Sequence, residues 1–194
     1  MFREMLGRGL SEKNAQVHLS DGGHYENLGL YELVHRRCRY IIVSDAAADP
    51  NFSFADLAKA IELVRVDFGA EIDINVSDLR PQGDDRLSKH AFARGKITYN
   101  PTGSDDEPEE ADLLYIKTAV TDNLTEDIYG YRRAHEKFPD ETTADQFFTE
   151  PQFEAYRELG FLLGSLACGK KKVRTIDRFF AEVEEYLQKT ANTS

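Results

Sequence analysis

Two carboxylates in this chain sit where open α/β sheets collect their chemistry, just beyond strand ends. Asp21 follows Val17-His-Leu-Ser20, an alternating run that suits the end of a strand, and it leads a Gly22-Gly23 turn. Asp45 closes the apolar run Tyr40-Ile-Ile-Val43-Ser44. Asp21 is the stronger candidate. A carboxylate on a Gly-Gly turn has unobstructed oxygens of fixed direction, and the glycines let a ligand or a second backbone come close. Such a group can act as a general base. The same residue could instead cap the following helix or bond its own turn amides, as an Asx-turn does.

The elements that must position these carboxylates are legible from periodicity. Leu28, Leu30, Tyr31, Leu33 and Val34 have helical spacing and end in the basic run His35-Arg-Arg-Cys-Arg39, favourable at a helix C-terminus. Tyr40–Val43 reads as a strand buried on both faces. Phe54, Leu57, Ala58, Ile61, Val64 and Phe68 define the clearest helix, with Ser53 as N-cap and Gly69 as stop. Glu71-Ile-Asp-Ile-Asn-Val76 alternates as a strand. The order strand, helix, strand, helix, strand predicts an α/β fold with a mostly parallel sheet over 17–76 and helices on its faces.

Further on, His90–Tyr99 and Asp112–Thr118 predict a hairpin around an acidic loop spanning 100–112, where Asp105, Asp106, Glu107, Glu109, Glu110 and Asp112 gather. That loop lacks the spacing of an EF-hand and reads as solvated surface. Helices are expected near 124–136, 143–148, 150–164 and 175–190, two of them opened by the capping boxes Thr143-x-x-Gln146 and Thr149-Glu-Pro-Gln152. Ile176, Phe179, Phe180, Val183 and Leu187 form an apolar stripe for docking on the body. With no internal repeat or linker, the 194 residues are taken as one domain with a helical carboxy-terminal part.

Composition narrows the function classes. The net charge of −11 disfavours nucleic acid and anionic lipid as partners. The longest apolar stretch, Phe161–Cys168, is too short to span a bilayer, and the first residues lack a signal peptide's apolar core. A soluble cytoplasmic chain is expected. Cys38 and Cys168 lie far apart with no CxxC, so they are expected as buried, reduced thiols. A Mg²⁺ cluster of Asp21, Asp45 and Asp49 is the metal alternative, but no phosphate-cradling glycine motif accompanies it. No metal and no cofactor are expected. Two basic strings, Arg86, Lys89, Arg94, Lys96 and then Lys170, Lys171, Lys172, Arg174, read as solvated surface, with lipid headgroups as the sharper alternative.

The run Asp21-Gly22-Gly23-His24-Tyr25-Glu26-Asn27-Leu28-Gly29, followed by Tyr40-Ile-Ile-Val-Ser-Asp45, resembles the carboxy-terminal catalytic segment of patatin-like phospholipases, and is similar also to the cytosolic phospholipase A2 group. Asp112–Lys117, Phe138–Phe148 with its Thr-Ala-Asp-Gln string, and Gln152–Gly160 are similar to one bacterial branch of those proteins. The likeness covers roughly residues 17–165. It implies part of a three-layer patatin-like fold and a lipid acyl hydrolase working through a Ser–Asp dyad. Asp21 would be the dyad's base, with Gly22 and Gly23 holding the turn open and Asn27 bracing it. His24 has no role in that chemistry and is expected to face solvent or pack.

The chain departs from the family at the nucleophile. It contains no Gly-x-Ser-x-Gly; Gly164-Ser-Leu-Ala-Cys-Gly169 has the wrong spacing, and Ser165 lies in a helical stretch. No oxyanion loop precedes Asp21 either. The resemblance therefore implies the carboxy-terminal portion of an acyl hydrolase, inactive alone, whose partner is the missing amino-terminal part and whose complete form takes a lipid or acyl-ester substrate, with membrane association left to the longer parent. A truncated sheet would also self-associate through an uncovered edge. The alternative is a non-catalytic α/β interaction module derived from the same frame.

Overall fold

The computed structural model describes residues 21–101, 107–142, 144, 146–169 and 173–191. The strand end at Val17–Ser20, Asp105, Asp106, Thr143 and Lys170–Lys172 lie outside the described residues. The elements run α1 (Leu30–His35), β1 (Tyr40–Asp45), α2 (Ala55–Phe68), β2 (Glu71–Ile74), β3 (Phe92–Tyr99), β4 (Glu109–Lys117), α3 (Glu126–Ala134), α4 (Glu150–Cys168) and α5 (Ile176–Ala191), with 3₁₀ turns at Gly22–His24 and Ser77–Leu79.

The four strands form one mixed sheet in the order β1-β4-β3-β2. Among the described residues only β1 and β4 pair in parallel; β4 with β3, and β3 with β2, are antiparallel. The expected mostly parallel sheet over 17–76 is therefore wrong in its pairing. The β1–α2–β2 crossover does join two strands of the same direction. The β3–β4 hairpin enters between them, so each hydrogen-bonded neighbour but one runs antiparallel. Periodicity reports which residues are strand, and is silent on which strands meet.

Register assigns the faces. Ile41, Val43 and Asp45 stand opposite Leu113, Tyr115 and Lys117, on the face where Leu30, Val34, Leu57, Ala60 and Val64 of α1 and α2 complete the core. The other face receives α5: Phe180 lies 5.2 Å from the Tyr40 ring and Tyr186 lies 5.5 Å from Phe92. Phe180 and Val183 are buried, so the apolar stripe of α5 does dock on the body.

Several local expectations change. Among the described residues β1 is an edge strand, and Ile42 on its α5-facing side is 47% exposed, so the strand is not buried on both faces. Ser53 does not cap α2. Phe54 occupies the N-cap in a left-handed conformation, and the Asp49 carboxylate accepts from the Ser53 amide (3.0 Å), the Ser53 hydroxyl (2.9 Å) and the Phe54 amide (2.7 Å) instead. Gly69 does end that helix, at φ +62°. Thr149 caps α4 by accepting from the Gln152 amide, whereas the described residues of 143–148 are not helical; the Thr149 cap and the following Pro151 set the helix start later. Cys168 is exposed rather than buried, at the end of α4. Glu109, Glu110 and Asp112 belong to β4 and not to a loop, because cations meet them there: Arg37 reaches Glu109 at 3.1 Å, Lys96 reaches Asp112 at 3.1 Å, and Arg94 bonds Asp112.

Candidate functional site

Asp21 opens the described chain as the N-cap of the Gly22–His24 turn, and its Oδ1 accepts from the Gly23 amide at 2.9 Å. The Tyr25 and Glu26 amides then both donate to the Gly22 carbonyl at 2.9 Å. Asp21 is exposed, and among the described residues its Oδ2 accepts no hydrogen bond. Among the described residues one oxygen thus fixes the carboxylate through an Asx-type bond, the structural reading that the sequence also allowed.

Gly23 and Asn27 form the wall behind it. A Cβ on Gly23 would stand 2.5 Å from Asn27 Oδ1 and 3.5 Å from Asp21 Oδ1, whereas one on Gly22 would meet nothing within 4 Å. A side chain at position 23 would therefore have to push the exposed Asn27 side chain aside, whereas one at position 22 would displace nothing. The Asn27 amide nitrogen donates to Asp56 Oδ1 at 3.1 Å, which ties the turn to the first turn of α2. His24 is exposed. The chain enters α1 through Gly29 at φ +69°, while the Glu26 carboxylate accepts from the Leu28 and Tyr31 amides and so caps the short helix. Asp21 does not cap it.

Asp45 has a different fate. It is 4% exposed and bonded on every side: Lys117 Nζ donates to it at 3.2 Å, the Ala47 amide donates to Oδ1 at 2.9 Å, and the Tyr115 hydroxyl bonds Oδ2. Lys117, itself 1% exposed, also donates to the Ala47 carbonyl at 2.6 Å. Burial, and then the bond to Asp45, drive the Tyr115 phenol far above its ordinary range, so it remains a donor. Next to this pair, burial pushes Asp49 up, but the Ser53 and Phe54 bonds and the Lys117 charge outweigh it and leave the carboxyl below its usual value. Asp140, whose Oδ1 accepts from the Asp49 amide at 2.7 Å, is raised by burial. Asp45 and Asp49 are thus committed to Lys117 and to backbone amides. The Mg²⁺ cluster with Asp21 loses its oxygens to these internal partners.

Sequence reasoning passed over Lys117, Tyr115, Asp56 and Glu26. A lysine closing the apolar run Leu113-Leu-Tyr-Ile116 was the available signal for the first, since a charge at a central strand end must find a partner. Ser165 lies within α4, as expected, and offers no strand-to-helix elbow. Among the described residues no helix is long and apolar enough to cross a membrane. Comparisons with protein-family models, with curated proteins and with solved structures return no match to this chain.

Proposed function

We propose that this chain is the carboxy-terminal portion of a patatin-like lipid acyl hydrolase, supplying the aspartate of a Ser–Asp dyad whose serine lies in an amino-terminal part. The observation that carries the reading is the exposed Asp21 carboxylate, held through Oδ1 on a Gly-Gly turn, with Oδ2 unbonded among the described residues. A base that must take a proton directly from a serine needs that geometry: fixed direction, a free lone pair and unobstructed approach. Asn27 braces the turn through Asp56. Among the described residues the outer edge of β1 has no partner strand, which leaves a place for further sheet and supports the reading too.

In the dyad, Asp21 accepts the serine proton as the oxygen attacks the acyl carbonyl, and returns it to the leaving alcohol. Charge developing on the carbonyl oxygen is met by the oxyanion loop of the same amino-terminal part. The isolated 194-residue chain is accordingly expected to leave p-nitrophenyl butyrate uncleaved. Ester hydrolysis by the purified chain that is lost in Asp21→Ala would place the nucleophile inside this sequence and overturn the proposal.

A further inference from the structure

Beyond the carboxyl ends of the parallel pair β1/β4 lies a cavity of about 400 Å³ that the dyad chemistry does not use. Its walls come from the loop after β1 (Pro50, Phe52), the segment after β4 (Val120), the end of α3 and the stretch that follows (Phe138, Pro139). Phe52 and Phe138 are 6% and 3% exposed, so the floor is apolar and fixed. Arg86, Arg132 and Lys137 complete the lining, and among the described residues none of them has a carboxylate within ion-pair distance. Instead, Arg86 donates to the Pro50 carbonyl at 3.1 Å, and Arg132 donates to the Asp85 carbonyl at 2.8 Å and the Arg86 carbonyl at 3.1 Å.

Neutral carbonyls, rather than ion pairs, position these guanidinium groups, although the Arg86 charge also acts on the Asp140 carboxyl. Each keeps further N–H donors for a ligand. The basic residues Arg94 and Lys96, by contrast, are spent on Asp112 and α5. Glu136 and Asp140 also line the cavity, so three cations face two carboxylates there. In a chain of net charge −11 this is a local positive excess.

We infer that this cavity binds a phosphate ester, its phosphate held by Arg86, Arg132 and Lys137 and its apolar part set against Phe52 and Phe138. Arginine forks match phosphate oxygens in pairs. The volume sits at the small end of ligand pockets, right for a headgroup-sized ester and too small for a whole phospholipid. The ester is either a free metabolite or the headgroup of a lipid. The inference is independent of the acyl hydrolase reading, because binding is read without catalysis.

The test is calorimetric titration of the 194-residue chain with butyl phosphate, with inorganic phosphate, and with phosphatidylcholine vesicles. Saturable binding of butyl phosphate is expected, with inorganic phosphate weaker by roughly tenfold for want of the apolar contact. Arg132→Gln should weaken butyl phosphate by about tenfold or more. Lys137→Glu, which breaks no side-chain hydrogen bond among the described residues, should do likewise and guards against misfolding of the first variant. Vesicle binding displaced by butyl phosphate assigns the site to a lipid headgroup, and binding of the free ester alone assigns it to a soluble one. The inference is overturned by absence of saturable butyl phosphate binding, by equal affinity for inorganic phosphate, or by full binding in Lys137→Glu.

Discussion

Gly23 and Gly22 are neighbours of identical type with opposite demands. A methyl group at position 23 would stand 2.5 Å from Asn27 Oδ1, the tip of an exposed side chain that must swing aside and give up its bond to Asp56. Gly23→Ala is expected to cost about 0.5–1.5 kcal/mol, the worth of that hydrogen bond. Gly22→Ala, open to solvent, should stay within about 0.5 kcal/mol of wild type. Urea midpoints of the two variants check this; equal destabilisation would remove the Gly23–Asn27 contact from the account. Lys117→Met tests the buried pair. It leaves the Asp45 carboxyl, 4% exposed, short of its cation, so a loss of about 3–5 kcal/mol is expected. A melting temperature unchanged in Lys117→Met would show that the pair carries no such weight. At this scale the Asp-Gly-Gly turn was legible because few other uses exist for two glycines after an aspartate. Lys117 was legible only in part: closing an apolar run it must find a partner, but only the pairing of β4 with β1 makes Asp45 that partner.

Elements show where sequence information runs out. The helical spacing of Leu57, Val64 and Phe68 and the left-handed Gly69 stop were readable because each acts within one turn of its own chain. Strand pairing depends on residues far apart, and nothing in Glu71–Ile74 announces that β3 rather than β1 lies beside it. One residue does bear on it: a Cβ on Gly95 would stand 2.8 Å from the Asp73 carbonyl, so β2 approaches β3 across a glycine. The docking of α5 brings a titratable group. His90 is 5% exposed, its Nε2 lies 3.2 Å from the Thr190 hydroxyl, its Nδ1 has no partner, and its ring sits 6.1 Å from that of Tyr186. Burial is the largest influence and lowers its pKa from 6.5; Lys89 adds to that, while Asp78 and Asp122 oppose it. A histidine held neutral in the fold takes its proton more readily when unfolded, so its contribution is complete above the unfolded value and is lost as pH falls below about 6.5. Melting temperature should therefore decline between pH 7 and 5, and His90→Gln should flatten that slope. A slope identical in His90→Gln would exclude this histidine as the cause.

For the molecule as a whole, the outer edge of β1 and the half-exposed Ile42 are the features that a longer protein would use. An unpaired edge strand beside exposed apolar surface invites other edges. Sedimentation should show concentration-dependent association of the isolated chain, reduced by Ile42→Lys, which places a charge on that face with little effect on stability; a monomer at all concentrations would argue that the edge needs no cover. The overall class, strands and helices with a helical carboxy-terminal part, was readable from hydropathic period, whereas the hairpin's insertion between β1 and β2 was not, because no residue in either strand encodes a neighbour. The central claim concerns Asp21. Reading the gene upstream of the Met1 codon identifies the longer product, and the decisive measurement is ester hydrolysis by that product with Asp21→Asn beside wild type. The account predicts an upstream Gly-x-Ser-x-Gly and a loss of activity of about 10²–10⁴-fold in the variant, as for removal of a general base. A closed reading frame upstream, or undiminished hydrolysis in Asp21→Asn, would contradict it.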